Sequence, residues 1–113
     1  MKDWRGYFNW VSKMRKMRTI KEIQELLKRC KDEIEKEFKA EIIGIFGSYV
    51  RGEEKPESDV DVLVRFKEGA TLFDLVGLAE FLEEQIGVKV DVVSERAIKP
   101  ELKEQILKEV VAI

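Results

Sequence analysis

The sequence predicts an α/β domain in which a three-stranded mixed sheet packs against helices. Two observations favour this fold class. Some segments carry apolar residues at the spacing of an amphipathic helix, while others alternate apolar and polar residues or run continuously apolar. The two kinds of segment succeed one another in the order helix, strand, short helix, strand, helix, strand, helix. At 113 residues, the chain has the length of a single domain with a modest core.

The first helix is predicted for about residues 20–38. Thr19 and Glu22 form a capping-box pattern, in which the Thr19 hydroxyl accepts from a first-turn amide and Glu22 reaches back. The apolar residues that follow at helical spacing are Ile20, Ile23, Leu27, Cys30, Ile34 and Phe38. Cys30 is the single cysteine, so the chain can form no internal disulfide, and we expect a buried, small apolar role for it.

The first strand is predicted at residues 41–46, a nearly continuous apolar run that is typical of a strand buried on both faces. Gly47 ends this strand. Residues 48–51 are predicted to form one helical turn before Gly52, and residues 53–57, which include a proline, an exposed loop.

Two more strands are predicted from alternating patterns. In residues 59–66, Asp59 and Asp61 point to one face while the valines between and after them point to the other. Residues 88–93 alternate again and carry Asp91. Each of these two strands therefore presents at least one carboxylate.

A second long helix is predicted from a cap formed by Thr71 and Asp74 to a stop at Gly87. A last helix begins near Pro100, which suits the first helical turn. Each helix has one apolar face, formed by Leu72, Leu75, Val76, Ala79, Leu82 and Ile86 in the first and by Leu102, Ile106, Leu107 and Val110 in the second.

The acidic residues of these strands are the first half of a candidate site. Asp59 and Asp61 lie about 7 Å apart on one strand face, a spacing that lets two carboxylates converge on one hard cation such as Mg²⁺. If Asp91 reaches the same face, it could accept a proton from an attacking hydroxyl or complete a second metal site. Alternatively, Asp91 is paired with another group or solvated at the end of the sheet.

The second half of the candidate site is the turn after the first strand. Gly47 lets the backbone come close to a phosphate, Ser48 supplies a hydroxyl, and the next helical turn presents free amides. Alone, a Gly-Ser pair usually turns the chain, and an Asp-x-Asp pair is usually solvated. The combination, with ten residues between Ser48 and Asp59, indicates a metal-dependent nucleotide-handling site.

The pattern Gly47-Ser48, ten residues, Asp59-Val60-Asp61 resembles the nucleotidyltransferase superfamily that includes DNA polymerase beta. The small size and Arg51-Gly52 resemble most closely the minimal nucleotidyltransferases, the MntA-type antitoxins encoded beside HEPN-domain toxins. The resemblance covers about residues 20–111 and implies a small nucleotidyltransferase fold. It also implies an enzyme that binds Mg²⁺ and ATP and transfers AMP to a tyrosine hydroxyl of the partner toxin, a ribonuclease.

The resemblance also implies a role for each site residue. Gly47 and Ser48 would hold the triphosphate, and Asp59 and Asp61 the metal ions. Asp91 would be the third carboxylate and would serve as a metal ligand, as the base of the reaction, or as both. For Arg51 two roles stay open, since it could contact phosphate or pin the loop through Glu53 or Glu57.

Two other functions are compatible with the sequence. The domain could be a non-catalytic module that neutralises a helical partner by covering it, although a pure binder has no reason to tolerate clustered carboxylates. It could also be a small-molecule or RNA nucleotidyltransferase, whose relatives normally carry extra domains.

Composition restricts the chemistry and the location of the protein. The chain has no histidine, which excludes a histidine-based metal site or acid–base pair. It has no apolar run of membrane-spanning length and no signal-peptide pattern, so we expect a cytoplasmic protein. The net charge of −2 does not indicate a specific nucleic-acid partner.

Residues 1–18 are predicted to form a basic, aromatic N-terminal extension, and residues 19–113 the nucleotidyltransferase domain. The extension carries Lys2, Arg5, Lys13, Arg15, Lys16 and Arg18 against Asp3, together with Trp4, Tyr7, Phe8 and Trp10. Such a segment can stack on nucleic acid, lie on a membrane surface or dock on a protein. We favour docking, either on a partner, on the domain's own apolar surface or on a second copy in a homodimer.

Overall fold

The helices and strands lie close to their predicted positions. The computed structural model describes residues 19–55 and 58–113, so the predicted N-terminal extension lies outside the described residues. The elements are α1 (Ile20–Phe38), β1 (Ala40–Phe46), α2 (Ser48–Arg51), β2 (Val60–Phe66), α3 (Leu72–Ile86), β3 (Val90–Ser94), a 3₁₀ turn (Glu95–Ala97), α4 (Pro100–Glu109) and β4 (Val111–Ala112). No helix in this part of the chain combines the length and apolar character that crossing a membrane requires.

The strands form one mixed sheet with the order β3-β2-β1-β4. β1 runs antiparallel to both β2 and β4, whereas β2 and β3 are parallel neighbours. The predicted mixed α/β fold is therefore confirmed, with one strand more than the three predicted. The additional strand has only two residues, too few to give an alternating pattern in the sequence. Val110, assigned to the last helix from the sequence, is instead the extended residue that follows α4.

The hydrophobic core lies between the sheet and the helices α1 and α3. α1 begins with the predicted capping box, in which the Thr19 hydroxyl accepts from the Glu22 amide at 3.1 Å. The buried residues of α1 form one cluster with the valines of β2; they are Ile23, Leu27, Cys30, Ile34, Val60, Val62 and Val64. Each such aliphatic side chain contributes roughly 1.5–3 kcal/mol through its burial. The buried, apolar role of Cys30 is confirmed, and burial raises the pKa of its thiol.

The C-terminal strand β4 lies directly against Gly44 of β1. Gly44 pairs with Ala112, and a Cβ atom built on Gly44 would lie 2.4 Å from the carbonyl oxygen of Val111. Gln24 of α1 holds the same strand, because its Nε2 donates to the carbonyl oxygen of Ala112 at 2.7 Å. The position of β4 therefore depends on the absence of a side chain at Gly44.

We expect Gly44→Ala to displace β4 and to lower the free energy of unfolding by about 1–3 kcal/mol, because backbone atoms of a paired strand cannot yield to a new methyl group. Urea unfolding measures the loss, and faster amide hydrogen exchange at Val111 localises it. Gly77→Ala in α3 is the matched control, since its added Cβ would lie 3.1 Å from the ring of Phe38, a side chain that can shift. Wild-type stability and exchange in Gly44→Ala would contradict this prediction.

Candidate active site

The carboxylates predicted from the sequence lie at one edge of the sheet. Asp61 pairs in register with Asp91 across the parallel strands β2 and β3, so their side chains share a face. Asp59 directly precedes β2, and its charge lies near enough to Asp61 to raise the pKa of that carboxyl. Asp61 is half-buried, whereas Asp59 and Asp91 are exposed. The condition under which Asp91 could join the site, a shared face with Asp61, is therefore met.

Asp61 is the carboxylate that its surroundings affect most. Burial raises the pKa of Asp61 to about 6, and the nearby charges of Asp91 and Asp59 contribute to the increase. The Arg51 guanidinium acts in the opposite direction, and the Glu109 carboxylate adds to the rise. Like charges crowded in this way are relieved by a bound proton or by a cation.

The donor set fits a hard divalent cation such as Mg²⁺. In proteins this ion usually takes one or two carboxylates and completes its shell with waters and substrate phosphates. Within residues 19–55 and 58–113, no group of three or more Asp, Glu, Cys or His side chains is arranged to hold a metal ion by itself. Asp59 and Asp61 would supply the one or two carboxylates that such an ion takes.

Gly47 brings the turn after β1 against the carboxylate of Asp61. Its φ of 85° lies in the region that favours glycine. A Cβ atom built on Gly47 would lie 1.9 Å from Oδ2 of Asp61, so no larger residue fits there without displacing the carboxylate. Ser48 begins the short helix α2 directly after this glycine and is half-buried. The predicted phosphate loop therefore contacts Asp61, one of the predicted metal ligands.

Arg51, the last residue of α2, is held by the chain itself. Its Nε donates to Oε1 of Glu53 at 2.8 Å, and its Nη1 donates to Oε1 of Glu109 at 2.7 Å. The hydrogen bond that Arg51 donates to Glu53 and the charge of Glu109 raise the pKa of the Arg51 guanidinium. Of the two roles left open by the sequence, the structure displays loop pinning through Glu53, while Glu57 lies outside the described residues.

Glu109 is a site residue that the sequence analysis did not identify. It is the last residue of α4, and its Oε1 accepts from the Gly47 amide at 3.0 Å as well as from Arg51. One signal was present in the sequence, because a glutamate in the last turn of a helix opposes the helix dipole and needs another interaction to compensate. That signal does not reveal which residues the glutamate contacts.

Tyr49 is a second residue that the sequence analysis missed. Its side chain is only 2% exposed, and its hydroxyl finds no hydrogen-bond partner among the described residues. The Oε2 atom of Glu54 is likewise buried without a partner in this part of the chain. Burial, followed by the charges of Glu54 and Asp59, raises the pKa of the Tyr49 hydroxyl. Tyr49 thus anchors α2 in the core immediately beside the carboxylates.

Known proteins are similar to this chain in sequence and in fold. A family model described as a nucleotidyltransferase domain matches residues 23–113. The chain belongs to this nucleotidyltransferase family. Membership confirms both the resemblance stated from the Gly-Ser and Asp-x-Asp motifs and the predicted enzyme class.

One curated protein and two solved structures illustrate the similarity. The protein adenylyltransferase MntA of Thermococcus cleftensis is 42% identical over 97 residues, which cover 86% of this chain and 98% of the relative. A solved structure assigned as a minimal nucleotidyltransferase has a TM-score of 0.66 and 40% identity, covering 80% of this chain and 95% of that one. A complex of a tri-AMPylated Shewanella oneidensis HEPN toxin with its MNT antitoxin has a TM-score of 0.55, with 79% and 70% covered. At 22% identity, that last match shows a shared fold.

Proposed function

We propose that this nucleotidyltransferase is a Mg²⁺-dependent protein adenylyltransferase that acts as an antitoxin. It transfers AMP from ATP to a tyrosine hydroxyl of a helical HEPN-domain ribonuclease. The observation that carries the proposal is the alignment of Asp61 with Asp91, directly beneath the Gly47 turn. The name of the Thermococcus relative supports AMP as the transferred group, and the AMPylated HEPN toxin bound to a protein of this fold supports the class of partner.

The reaction joins the acceptor oxygen to the α-phosphorus of ATP and breaks the bond to the bridging oxygen of the β-phosphate, which leaves in pyrophosphate. We assign Gly47 and Ser48 to the triphosphate and Asp59 and Asp61 to Mg²⁺. When bound, Mg²⁺ would offset the charge of the triphosphate and of the leaving oxygen. Asp91, exposed at the same edge, takes the proton from the attacking hydroxyl.

An intact-mass measurement of the helical partner tests this proposal. The partner is incubated with the chain, Mg²⁺ and each nucleotide in turn, and we expect it to gain the mass of one or more adenylates with ATP alone. Asp59→Asn should abolish this gain, because the variant lacks one of the proposed metal ligands. Asp32→Asn on the exposed side of α1 is the matched control and should transfer normally.

A binding module is the second candidate, and one observation favours it. Three large apolar side chains of α3 are exposed, Leu72 by 74%, Phe73 by 88% and Val76 by 49%. If a stable complex forms in the mass experiment without any nucleotide being added, the protein neutralises its partner by binding rather than by catalysis. Protection from the toxin by Asp59→Asn would support the same conclusion.

Three further proposals accompany the function. Residues 1–18 form an extension to a domain at residues 19–113, the protein is cytoplasmic, and the extension contributes to contacts with the partner or with a second copy. We expect neither a specific nucleic-acid partner nor association with a membrane.

Removal of the extension should leave nucleotide binding intact, because every residue assigned to the site lies beyond it.

A further inference from the structure

The carboxylate of Glu109 accepts hydrogen bonds from two donors of the proposed nucleotide site. Its Oε1 accepts from the Gly47 amide at 3.0 Å and from Nη1 of Arg51 at 2.7 Å. The Glu109 side chain is only 18% exposed, so these contacts are partly shielded from solvent. An anion of the protein thus lies where the proposed function requires an anion of the substrate.

The Gly47 amide can satisfy only one acceptor fully. A backbone amide carries a single hydrogen, so a phosphate oxygen and the Glu109 carboxylate would compete for it. Arg51 has further N–H groups, but Nε is already committed to Glu53 and Nη1 to Glu109. Hydrogen bonds between ionised groups are the strong ones, so this competition affects nucleotide affinity measurably.

The chain holds Glu109 in this position from the C-terminal side. Val110 leads directly from α4 into β4, which pairs with Gly44 and Ile45 of β1. Gly47 follows β1 by one residue, so β4 and the Gly47 turn are fastened to the same strand. The fold therefore holds the backbone at Glu109 close to the Gly47 turn.

We propose that Glu109 is an internal competitor that lowers the affinity of the site for nucleotide: its carboxylate holds Gly47 and Arg51 in the nucleotide-free protein, and the triphosphate replaces it. This inference rests on the proposed function, because it assumes that the Gly47 turn receives the phosphates. It assigns Arg51 two successive partners, Glu109 without nucleotide and phosphate with it. Loop pinning through Glu53 is compatible with both states.

The test is calorimetric titration of the full chain with a non-hydrolysable ATP analogue and Mg²⁺. We expect Glu109→Gln to bind with a Kd about five- to tenfold lower than the wild type, because a neutral amide competes less well with phosphate. Glu104→Gln is the matched control: it lies on the same helix and pairs only with Lys108 among the described residues, at 3.3 Å. Its Kd should equal that of the wild type.

Thermal unfolding without nucleotide provides the second measurement. Glu109→Gln should unfold at a lower temperature than the wild type, since the Gly47 amide and Arg51 lose a charged acceptor. If Glu109 is a competitor, the variant should bind nucleotide more tightly and be less stable than the wild type. If Glu109 has only a structural role, the variant should bind nucleotide more weakly and also be less stable.

The possible outcomes separate this inference from the proposed function. Unchanged or weaker binding by Glu109→Gln, beside clear binding by the wild type, would overturn the inference and leave the function standing. Absence of binding in all three proteins would overturn both. Binding by Glu109→Gln alone would support both, since competition in the wild type would then be complete.

Discussion

Asp61→Asn is expected to abolish AMP transfer and yet to stabilise the metal-free protein at neutral pH. Transfer should fall at least about a hundredfold, because the variant loses a proposed metal ligand, and such a ligand contributes several kcal/mol to the transition state. The stability gain follows from the pKa of Asp61, which burial and then Asp91 and Asp59 raise to about 6 from an ordinary value of 3.8. The folded protein therefore ionises this carboxyl less readily than the unfolded chain does.

The direction of the pH dependence follows from that difference. The favourable contribution of protonated Asp61 is complete below about pH 4 and is lost as the pH rises to about 6 and beyond. Asparagine stays neutral throughout, so the variant lacks this loss. The full shift corresponds to about 3 kcal/mol, which solvent screening of a half-exposed group reduces to about 1 kcal/mol.

Unfolding in urea between pH 4 and 8, with a chelator present, measures this effect. The stability curves of wild type and Asp61→Asn should diverge as the pH rises. Mg²⁺ should then stabilise the wild type more than the variant. The prediction would be contradicted if the variant were less stable than the wild type at pH 7.5 and its stability varied with pH in the same way. Ionised Asp61 would then not destabilise the folded protein.

Gly47→Ala is expected to have the second large effect, a loss of transfer of about a hundredfold or more. The new methyl group would collide with the Asp61 carboxylate, since the ideal Cβ position lies 1.9 Å from Oδ2. The positive φ of 85° adds strain of about 1 kcal/mol or more. Both the proposed phosphate loop and the proposed metal ligand would have to shift.

Gly52→Ala separates these two causes. Gly52 also has a positive φ, 73°, but a Cβ atom built there has no neighbour within 4 Å. We expect this control to lose about 1 kcal/mol of stability and to keep most of its transfer activity. Steady-state transfer rates and urea unfolding of both variants measure the comparison. If the two variants lose activity equally, backbone strain and not the collision with Asp61 explains the effect.

Local patterns in the sequence predicted the face on which each carboxylate lies, but not its neighbours. The period of two is a property of the strand alone, so it placed Asp59 and Asp61 together without knowledge of the fold. The register that aligns Asp91 with Asp61 depends on the parallel pairing of β2 and β3, which no local pattern encodes. The sequence therefore predicted that Asp59 and Asp61 lie together, and the pairing of β2 with β3 adds Asp91 to them.

The contributions of the C-terminus were not predictable for a related reason. Glu109 approaches Gly47 only because α4 and β4 return to β1, a contact between residues that are far apart in sequence. β4 is too short to leave a pattern, and Gly44 appeared as one more small residue in an apolar run. Local sequence thus predicts elements well, whereas contacts between chain ends require the tertiary structure.

The parallel pairing of β2 with β3 also restricts how this protein can vary. The two strands are joined by residues 67–89, and Asp91 reaches Asp61 only if this connection delivers β3 in one particular register. Inserting a single residue between Val90 and Asp91 would turn Asp91 to the opposite side of the sheet, whatever the inserted residue is. The length of the chain at the start of β3 is consequently constrained independently of its composition, and a single-residue insertion there should disrupt the site even where the inserted residue suits a strand.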